Sequence, residues 1–339
     1  MVEKEFNVIE LFSGAGGLAL GLHHAGFEPL LLVDFFEDAN ETVRRNLPHW
    51  NVITEDIVEM AEKSLFSYIP RNPIDLMSAG FPCQPFSYAG KRLGLADTRG
   101  TVFYSLSKII EEAAPKVILL ENVRGLLNHD KGRTFSTITD SLYSLGYVLD
   151  YRVLNAWNYN VPQKRQRLFI VGVRNLYDSR FEWPDEILPK PVLRDALKDV
   201  PISEGQAYPS RKKAILDMVP PGGSWIDLPD DLAREYLGKS YFSGGGRRGM
   251  ARRLSWDEPS LTLTCSPAQK QTERCHPDET RPFTVREYAR IQTFPDDYSF
   301  YGSMSSQYKQ IGNAVPVQLA YHMGLRLMEL LRSIHGEHK

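Results

Sequence analysis

Asn7-Val8-Ile9-Glu10-Leu11-Phe12-Ser13-Gly14-Ala15-Gly16-Gly17 is the stretch on which the fold class turns. Its first six residues read as a buried strand. The glycines that follow allow a tight turn, and helical patterning then runs through about Ala25. The same alternation repeats downstream. Pro29-Leu30-Leu31-Leu32-Val33 predicts a second strand, and Glu37 to Asn46 a helix. Further strands are expected at 74–79, 117–120 and 167–173, with helical spacing from Thr101 to Ala114 between two of them. Strands alternating with helices define an α/β chain with a mostly parallel sheet covered on both faces.

The pattern changes after Val173. Prolines fall at 184, 189, 191, 201, 209, 220 and 221, glycines cluster at 222–223 and 244–246, and periodicity weakens. This segment reads as a smaller, loop-rich domain. Order returns with a helix over Thr284 to Thr293 and a strong terminal helix over Val317 to Ile334. The expected division is therefore one domain from 1–180 with 303–339, and a second from 181–302.

The chain has 339 residues, 42% hydrophobic and 24% charged, with a net charge of -2. That composition is ordinary for a globular protein. No apolar run approaches the roughly 18 residues that a membrane-spanning helix needs. The acidic start, Met1 to Glu5, lacks the basic flank and apolar core of a secretory signal, so a cytoplasmic location is expected. Three cysteines, Cys83, Cys265 and Cys275, suit a reducing compartment and match no zinc template, which leaves no metal site. A Cys265–Cys275 disulfide stays open from sequence alone.

Two loops carry the chemistry. Gly80-Phe81-Pro82-Cys83-Gln84-Pro85-Phe86-Ser87 follows the strand at 74–79 and fixes a thiol between two prolines. Val117-Ile118-Leu119-Leu120 runs straight into Glu121-Asn122-Val123, so a thiol and a carboxylic acid converge at one sheet edge, where open α/β folds bind their ligands. A lone cysteine is usually a small buried apolar residue, and a strand-end acid usually caps a turn. The proline-bounded loop and the pairing of the two groups favour a nucleophile and an acid. Asp34 ends the second strand, twenty residues after Gly14, in the position of a carboxylate that accepts from ribose hydroxyls. The glycine loop lacks the dinucleotide spacing, so an adenosine cofactor without a pyrophosphate, such as S-adenosylmethionine, suits it. A plain helix-capping turn is the bland alternative. Phe35 is placed to stack on an adenine, and Asp56 of Glu55-Asp56-Ile57 reaches the same edge.

Taken in order, these motifs resemble those of the DNA (cytosine-5)-methyltransferases of bacterial restriction–modification systems, over nearly the whole chain outside residues 181–240. Phe12 to Gly17 resembles the methionine-binding loop, Asp34 the ribose acid (often Glu in the family), and Asp56 with Ile57 the adenine-edge position. Gly80 to Ser87 resembles the nucleophile loop, Asp97-Thr98-Arg99-Gly100 with Val102 the next motif, and Glu121-Asn122-Val123 the acid motif. Gln163-Lys164-Arg165-Gln166-Arg167 matches Gln-x-Arg-x-Arg. Arg281 to Glu287 through Gln292-Thr293-Phe294-Pro295, and then Gly312-Asn313-Ala314-Val315-Pro316, resemble the last two motifs. The resemblance implies a Rossmann-like S-adenosylmethionine-dependent methyltransferase fold with a smaller loop-rich DNA-recognition domain. It implies methyl transfer to C5 of a cytosine in a specific short duplex sequence, through a Cys–C6 adduct on a flipped base.

By that resemblance the catalytic residues are Cys83, Glu121, Arg165 and Arg167, with Arg165 near the cytosine O2 and Arg167 bracing the region. The bland reading of the two arginines is a solvated or acid-paired strand edge. The cofactor residues are Phe12, Gly14, Gly16, Asp34, Phe35, Asp56, Ile57, Pro82, Val102 and Asn313, although Asn313 equally suits a helix cap. Ser87 and Arg99 are assigned to DNA. So are Arg247, Arg248, Arg252 and Arg253, from a Lys239–Arg253 run of five cations and no acid. Glycines there let the backbone approach phosphates, and Arg reads guanine edges; a solvated face is the ordinary alternative. Leu254 to Thr264 alternates like a strand. The expected partners are duplex DNA and a functionally paired restriction endonuclease without a stable complex, with the chain a monomer. The competing readings are a cytosine-5 methyltransferase acting on tRNA, a catalytically inactive DNA-binding regulator, and a small-molecule methyltransferase. The arginine-rich segment, the intact Cys83 and Glu121, and the size of the second domain weigh against them.

Overall fold

The computed structural model describes residues 5–82, 102–242 and 249–336. It divides into two compact units. The first comprises Met1–Asn155, Gln166–Glu186 and Val317–Lys339; the second comprises Ala156–Arg165 and Ile187–Pro316. The division thus falls elsewhere than the expected borders at 180 and 302. Residues 156–165 and 303–316 pack with the second unit.

The first unit is built on strands β1 (Phe6–Leu11), β2 (Phe27–Asp34), β3 (Val52–Thr54), β4 (Leu76–Ala79), β5 (Val117–Val123), β6 (Tyr147–Asn155) and β8 (Gln166–Arg174). Their order in the sheet is β3-β2-β1-β4-β5-β8-β6. All neighbouring pairs from β3 to β5 are parallel, and β8 runs antiparallel to both β5 and β6. Ile9, Leu11, Leu31, Val33, Met77 and Leu120 are fully buried within it. Central parallel strands are covered on both faces, so near-continuous apolar runs betray them in sequence. Each such side chain contributes about 1.5–3 kcal/mol by leaving water. β6 escapes that signal. It is an edge strand with Val148 and Tyr151 half exposed, and its mixed composition reads as neither strand nor helix.

Helices α1 (Gly17–Ala25), α2 (Glu37–Asn46), α3 (Ile57–Met60), α4 (Val102–Ala113), α5 (Arg133–Ser144) and the terminal α11 (Val317–Gly336) cover the sheet. α11 returns to pack on α1. Glycines permit the close crossing. A Cβ at Gly21 would stand 2.4 Å from the Cβ of Ala320 and 2.5 Å from the Val317 carbonyl oxygen.

The second unit carries α6 (Leu193–Leu197), α7 (Ser210–Asp217), α8 (Asp230–Leu237), α9 (Val285–Ile291) and α10 (Met304–Asn313), with two short strands, β7 (Gln163–Lys164) and β9 (Ser260–Leu261), paired in parallel. Thr284 caps α9 through a reciprocal capping box with Glu287. The strand expected over Leu254 to Thr264 shrinks to β9, because irregular backbone around Pro259 limits pairing to two residues. Cys265 and Cys275 are both free thiols, so the disulfide left open by the sequence is not formed. Among the described residues no helix is long and apolar enough to cross a membrane.

Candidate active site

The first unit assembles its polar groups where the parallel strands end. β1 leads into Phe12, whose φ of 58° turns the chain sharply. Gly14 and Gly16 follow at φ 51° and 76°, conformations that cost a residue with a Cβ far more than they cost glycine. The Gly14 N–H donates to Asp34 Oδ2 at 2.8 Å, and the Phe36 N–H donates to Asp34 Oδ1 at 2.8 Å. The Asp34 carboxylate is therefore fixed by a backbone donor on each oxygen.

The Ser13 Oγ is buried and has no hydrogen-bond partner among the described residues. The position of a Cβ on Gly14 faces open space within 4 Å. Phe35, next to the fixed carboxylate, is 67% exposed. An orphaned hydroxyl, an open backbone cradle, an anchored carboxylate and an uncovered aromatic face fit a nucleoside ligand with a polar tail. Asp56 lies at the same end, beyond β3. Its Oδ1 accepts from the Val58 N–H at 2.7 Å and caps α3. Ile57 is buried in the core and packs there. Val102 opens α4 and is half-buried, and Pro82 is exposed.

The acid lies two strands away. On β5, Glu121 faces Phe169 of β8 in register, and Val123 faces Arg167. Glu121 and Arg167 therefore point to one face as a diagonal pair. Arg167 Nε donates to Glu121 Oε1 at 2.9 Å, with the two side chains 14% and 12% exposed. The acid-paired reading of Arg167 and its bracing role are the same contact. The other carboxylate oxygen, Oε2, lies 3.5 Å from where a Cβ on Gly80 would stand, at the start of the loop that carries Cys83. Asn122 points to the opposite face and donates its Nδ2 to the Phe81 carbonyl at 2.9 Å. It braces the entry to the same loop. Cys83, Ser87 and Arg99 lie outside the described residues, as do Arg247 and Arg248.

Beneath these loops, Glu10 on β1 is buried and its Oε2 accepts from the Ser78 hydroxyl of β4 at 3.3 Å. Burial holds its carboxyl well above the usual carboxylate range, offset in part by the Ser78 hydrogen bond. Sequence reasoning passed over it, although an acid amid Ile9 and Leu11 in an apolar strand was the visible signal.

In the second unit, Arg165 is fully buried. Its guanidinium donates to the carbonyls of Leu263 at 3.2 Å, Gly312 at 2.9 Å, Asn313 at 3.4 Å and Ala314 at 3.0 Å. Arg165 is a brace for the Gly312–Ala314 loop, with its donors turned onto backbone. Gln292 supports the same loop, giving its Nε2 to the Ile311 carbonyl at 2.7 Å while its Oε1 accepts from Gln163 at 2.8 Å. Asn313 Oδ1 accepts from the Cys265 thiol at 2.9 Å.

Arg253, assigned to DNA from the arginine run, is buried inside its unit. It is 4% exposed, and its guanidinium donates to the carbonyls of Val219 at 2.7 Å and Leu216 at 2.8 Å and to the Thr280 hydroxyl at 2.6 Å. A buried guanidinium needs such acceptors, and these hold it inside its unit. Arg252 is half-buried and faces Glu258 at 3.7 Å. A run of arginines in sequence does not separate the buried from the exposed.

Six strands running one way and a single reversed strand inserted before the last, with polar loops gathered at the carboxyl ends, define an S-adenosylmethionine-dependent methyltransferase fold. The chain belongs to the C-5 cytosine-specific DNA methylase family, whose family model matches residues 6–329, and it is a DNA (cytosine-5)-methyltransferase. It is 57% identical to the type II methyltransferase M.Eco47II of Escherichia coli, over 97% of this chain and 80% of that protein. It is 53% identical to the type II methyltransferase M.Sau96I of Staphylococcus aureus, over 98% of this chain and 78% of that protein. Among solved structures it is similar to a DNA modification methyltransferase encoded within an E. coli prophage, with a TM-score of 0.71 and 25% identity over 97% of this chain and all of that one. A Spodoptera frugiperda DNMT2 variant shares the fold at a TM-score of 0.68 and 20% identity, over 97% of this chain and 100% of that one.

Proposed function

We propose that the chain methylates C5 of one cytosine within a short specific sequence of duplex DNA, by a covalent route through Cys83 on a base rotated out of the helix. One observation carries the reading: Glu121 is held by Arg167 beside Gly80, the residue that opens the Cys83 loop. Cytosine C5 is too poor a nucleophile to be methylated unaided. Addition of the Cys83 thiolate to C6 forms a C–S bond and moves the ring electron pair toward C5. Glu121 at N3 offsets the charge that builds on the ring, and Arg167 keeps that carboxyl oriented. Loss of the C5 proton and expulsion of the thiolate then restore the aromatic ring and the free enzyme. S-adenosylmethionine supplies the electrophilic methyl group when bound, and Phe12, Ser13, Gly14, Gly16, Asp34, Phe35 and Asp56 would hold it. Rotating the base out costs a few kcal/mol of stacking, and contacts to the opened duplex must offset it.

Ser87, Arg99, Arg247, Arg248 and Arg252 are proposed for the DNA interface. The protein is proposed to act as a cytoplasmic monomer that protects host DNA from an endonuclease of the same specificity, without a stable complex. The test is a duplex in which the target cytosine carries fluorine at C5, where elimination cannot follow addition. A denaturation-resistant adduct linked through residue 83 is expected. A duplex that leaves residue 83 unmodified, or faster methyl transfer to tRNA than to duplex DNA, would overturn the proposal.

A further inference from the structure

Asn40 is the fourth residue of α2 and is completely buried. Its amide Nδ2 donates to the Asp34 carbonyl at 2.8 Å and to the Thr54 hydroxyl at 2.9 Å. The first is the backbone of the proposed ribose acid. The second is the last residue of β3, two positions before Asp56. The Asp34 carbonyl also accepts from the Glu55 N–H at 3.2 Å, and Thr54 is tied to the surface by Arg44 at 3.0 Å and by Glu37. The amide orientation is fixed, because the Asp34 carbonyl only accepts and so requires Nδ2 to face it. Its Oδ1 is left buried with no partner among the described residues. A buried, half-satisfied amide costs stability, which a plain packing residue at this position would avoid.

We propose that Asn40 is a positioning residue of the cofactor site, whose amide sets the spacing between Asp34 and Asp56 and thereby the affinity for the nucleoside half of the cofactor. The inference rests on the reading of that site given above. In Asn40→Ala the Asp34 carbonyl keeps its Glu55 donor and Thr54 keeps Arg44 and Glu37, while an unsatisfied buried oxygen disappears. The fold therefore survives, and the thermal midpoint moves by about 4 °C or less. What is lost is the clamp between two strand ends.

The experiment titrates S-adenosylhomocysteine and 5′-methylthioadenosine calorimetrically into the full chain and into Asn40→Ala, Asn40→Ser and Arg44→Ala. Both compounds carry the nucleoside and only the first carries the amino-acid tail. Two neutral hydrogen bonds correspond to roughly 5- to 150-fold in affinity, and the loss in Asn40→Ala is expected in that range and equal for the two compounds. Arg44→Ala, which touches Thr54 but not Asp34, stays within about twofold of wild type. The turnover at saturating S-adenosylmethionine and the affinity for duplex DNA stay unchanged. If Asn40→Ala fails to fold, Asn40→Ser gives the same comparison. Wild-type affinity in the Asn40 variants, or a loss confined to S-adenosylhomocysteine, would overturn the inference. Wild-type protein that binds neither compound would instead overturn the reading of the site itself.

Discussion

Gly21→Ala sets two effects of known sign against each other. Alanine is the better helix former by about 0.8–1.0 kcal/mol in a helix interior, so on propensity alone the change stabilises α1. Packing opposes it. The new methyl would stand 2.4 Å from the Ala320 Cβ, 2.5 Å from the Val317 oxygen and 2.7 Å from the Tyr321 nitrogen. Two of these three atoms are backbone of α11 and cannot rotate away. Restoring van der Waals contact requires the helices to separate by about 1 Å, and overpacking of this kind costs about 1–3 kcal/mol, toward the upper end where backbone must move. The net expectation is a loss of about 1–2 kcal/mol. For a unit of this size that lowers the thermal midpoint by roughly 2–8 °C. The displacement also reaches the proposed cofactor loop, because α1 begins at Gly17 directly after Gly16. S-adenosylhomocysteine affinity should fall with stability. Gly21→Ala combined with Ala320→Gly removes only the first of the three contacts, so it should recover part of the loss. Differential scanning calorimetry of the three proteins reads this directly. A Gly21→Ala protein as stable as wild type, or more so, would show that propensity wins and that the crossing is looser than argued.

Other expectations follow from single groups. Glu121→Gln should slow methyl transfer severely while cofactor and duplex affinities hold; wild-type single-turnover rates in that variant would remove the acid from the mechanism. Glu10 binds its proton more tightly folded than unfolded, so its contribution is complete below the ordinary carboxylate value of 4.5 and is lost as pH rises toward its raised folded value. Glu10→Gln should flatten that decline in urea-denaturation midpoints measured from pH 5 to 9; parallel pH curves for the two proteins would refute the assignment. Arg253→Met should destabilise the second unit by about 3 kcal/mol or more, by stranding buried carbonyls, and a denaturation midpoint equal to wild type would count against the brace. Arg247→Ala with Arg248→Ala should leave stability alone and flatten the salt dependence of duplex binding by about 0.9 per phosphate contact removed; an unchanged slope would move those contacts elsewhere.

The sequence by itself determined the sheet-forming half of the chain. Central strands must be apolar on both faces, so β1, β2, β4, β5 and β8 announce themselves. Helices α2, α4, α9 and α11 are legible from their patterning. The cofactor loop was legible because a positive φ at a tight turn calls for glycine, and the acid motif because a carboxylate ends an apolar strand. Tertiary structure alone decided the rest. That β8 runs against its neighbours, and so brings Arg167 diagonally onto Glu121, is a matter of sheet order to which side-chain spacing is blind. That Arg165 and Arg253 are buried braces is settled by which carbonyls surround them, and an arginine carries the same charge wherever it lies. Glu10 owes its character to a strand remote in sequence, and Asn40 to the ends of the two strands that flank its helix. Local patterns encode what a residue does to its own backbone, whereas desolvation and hydrogen-bond partnership depend on what the folded chain brings alongside.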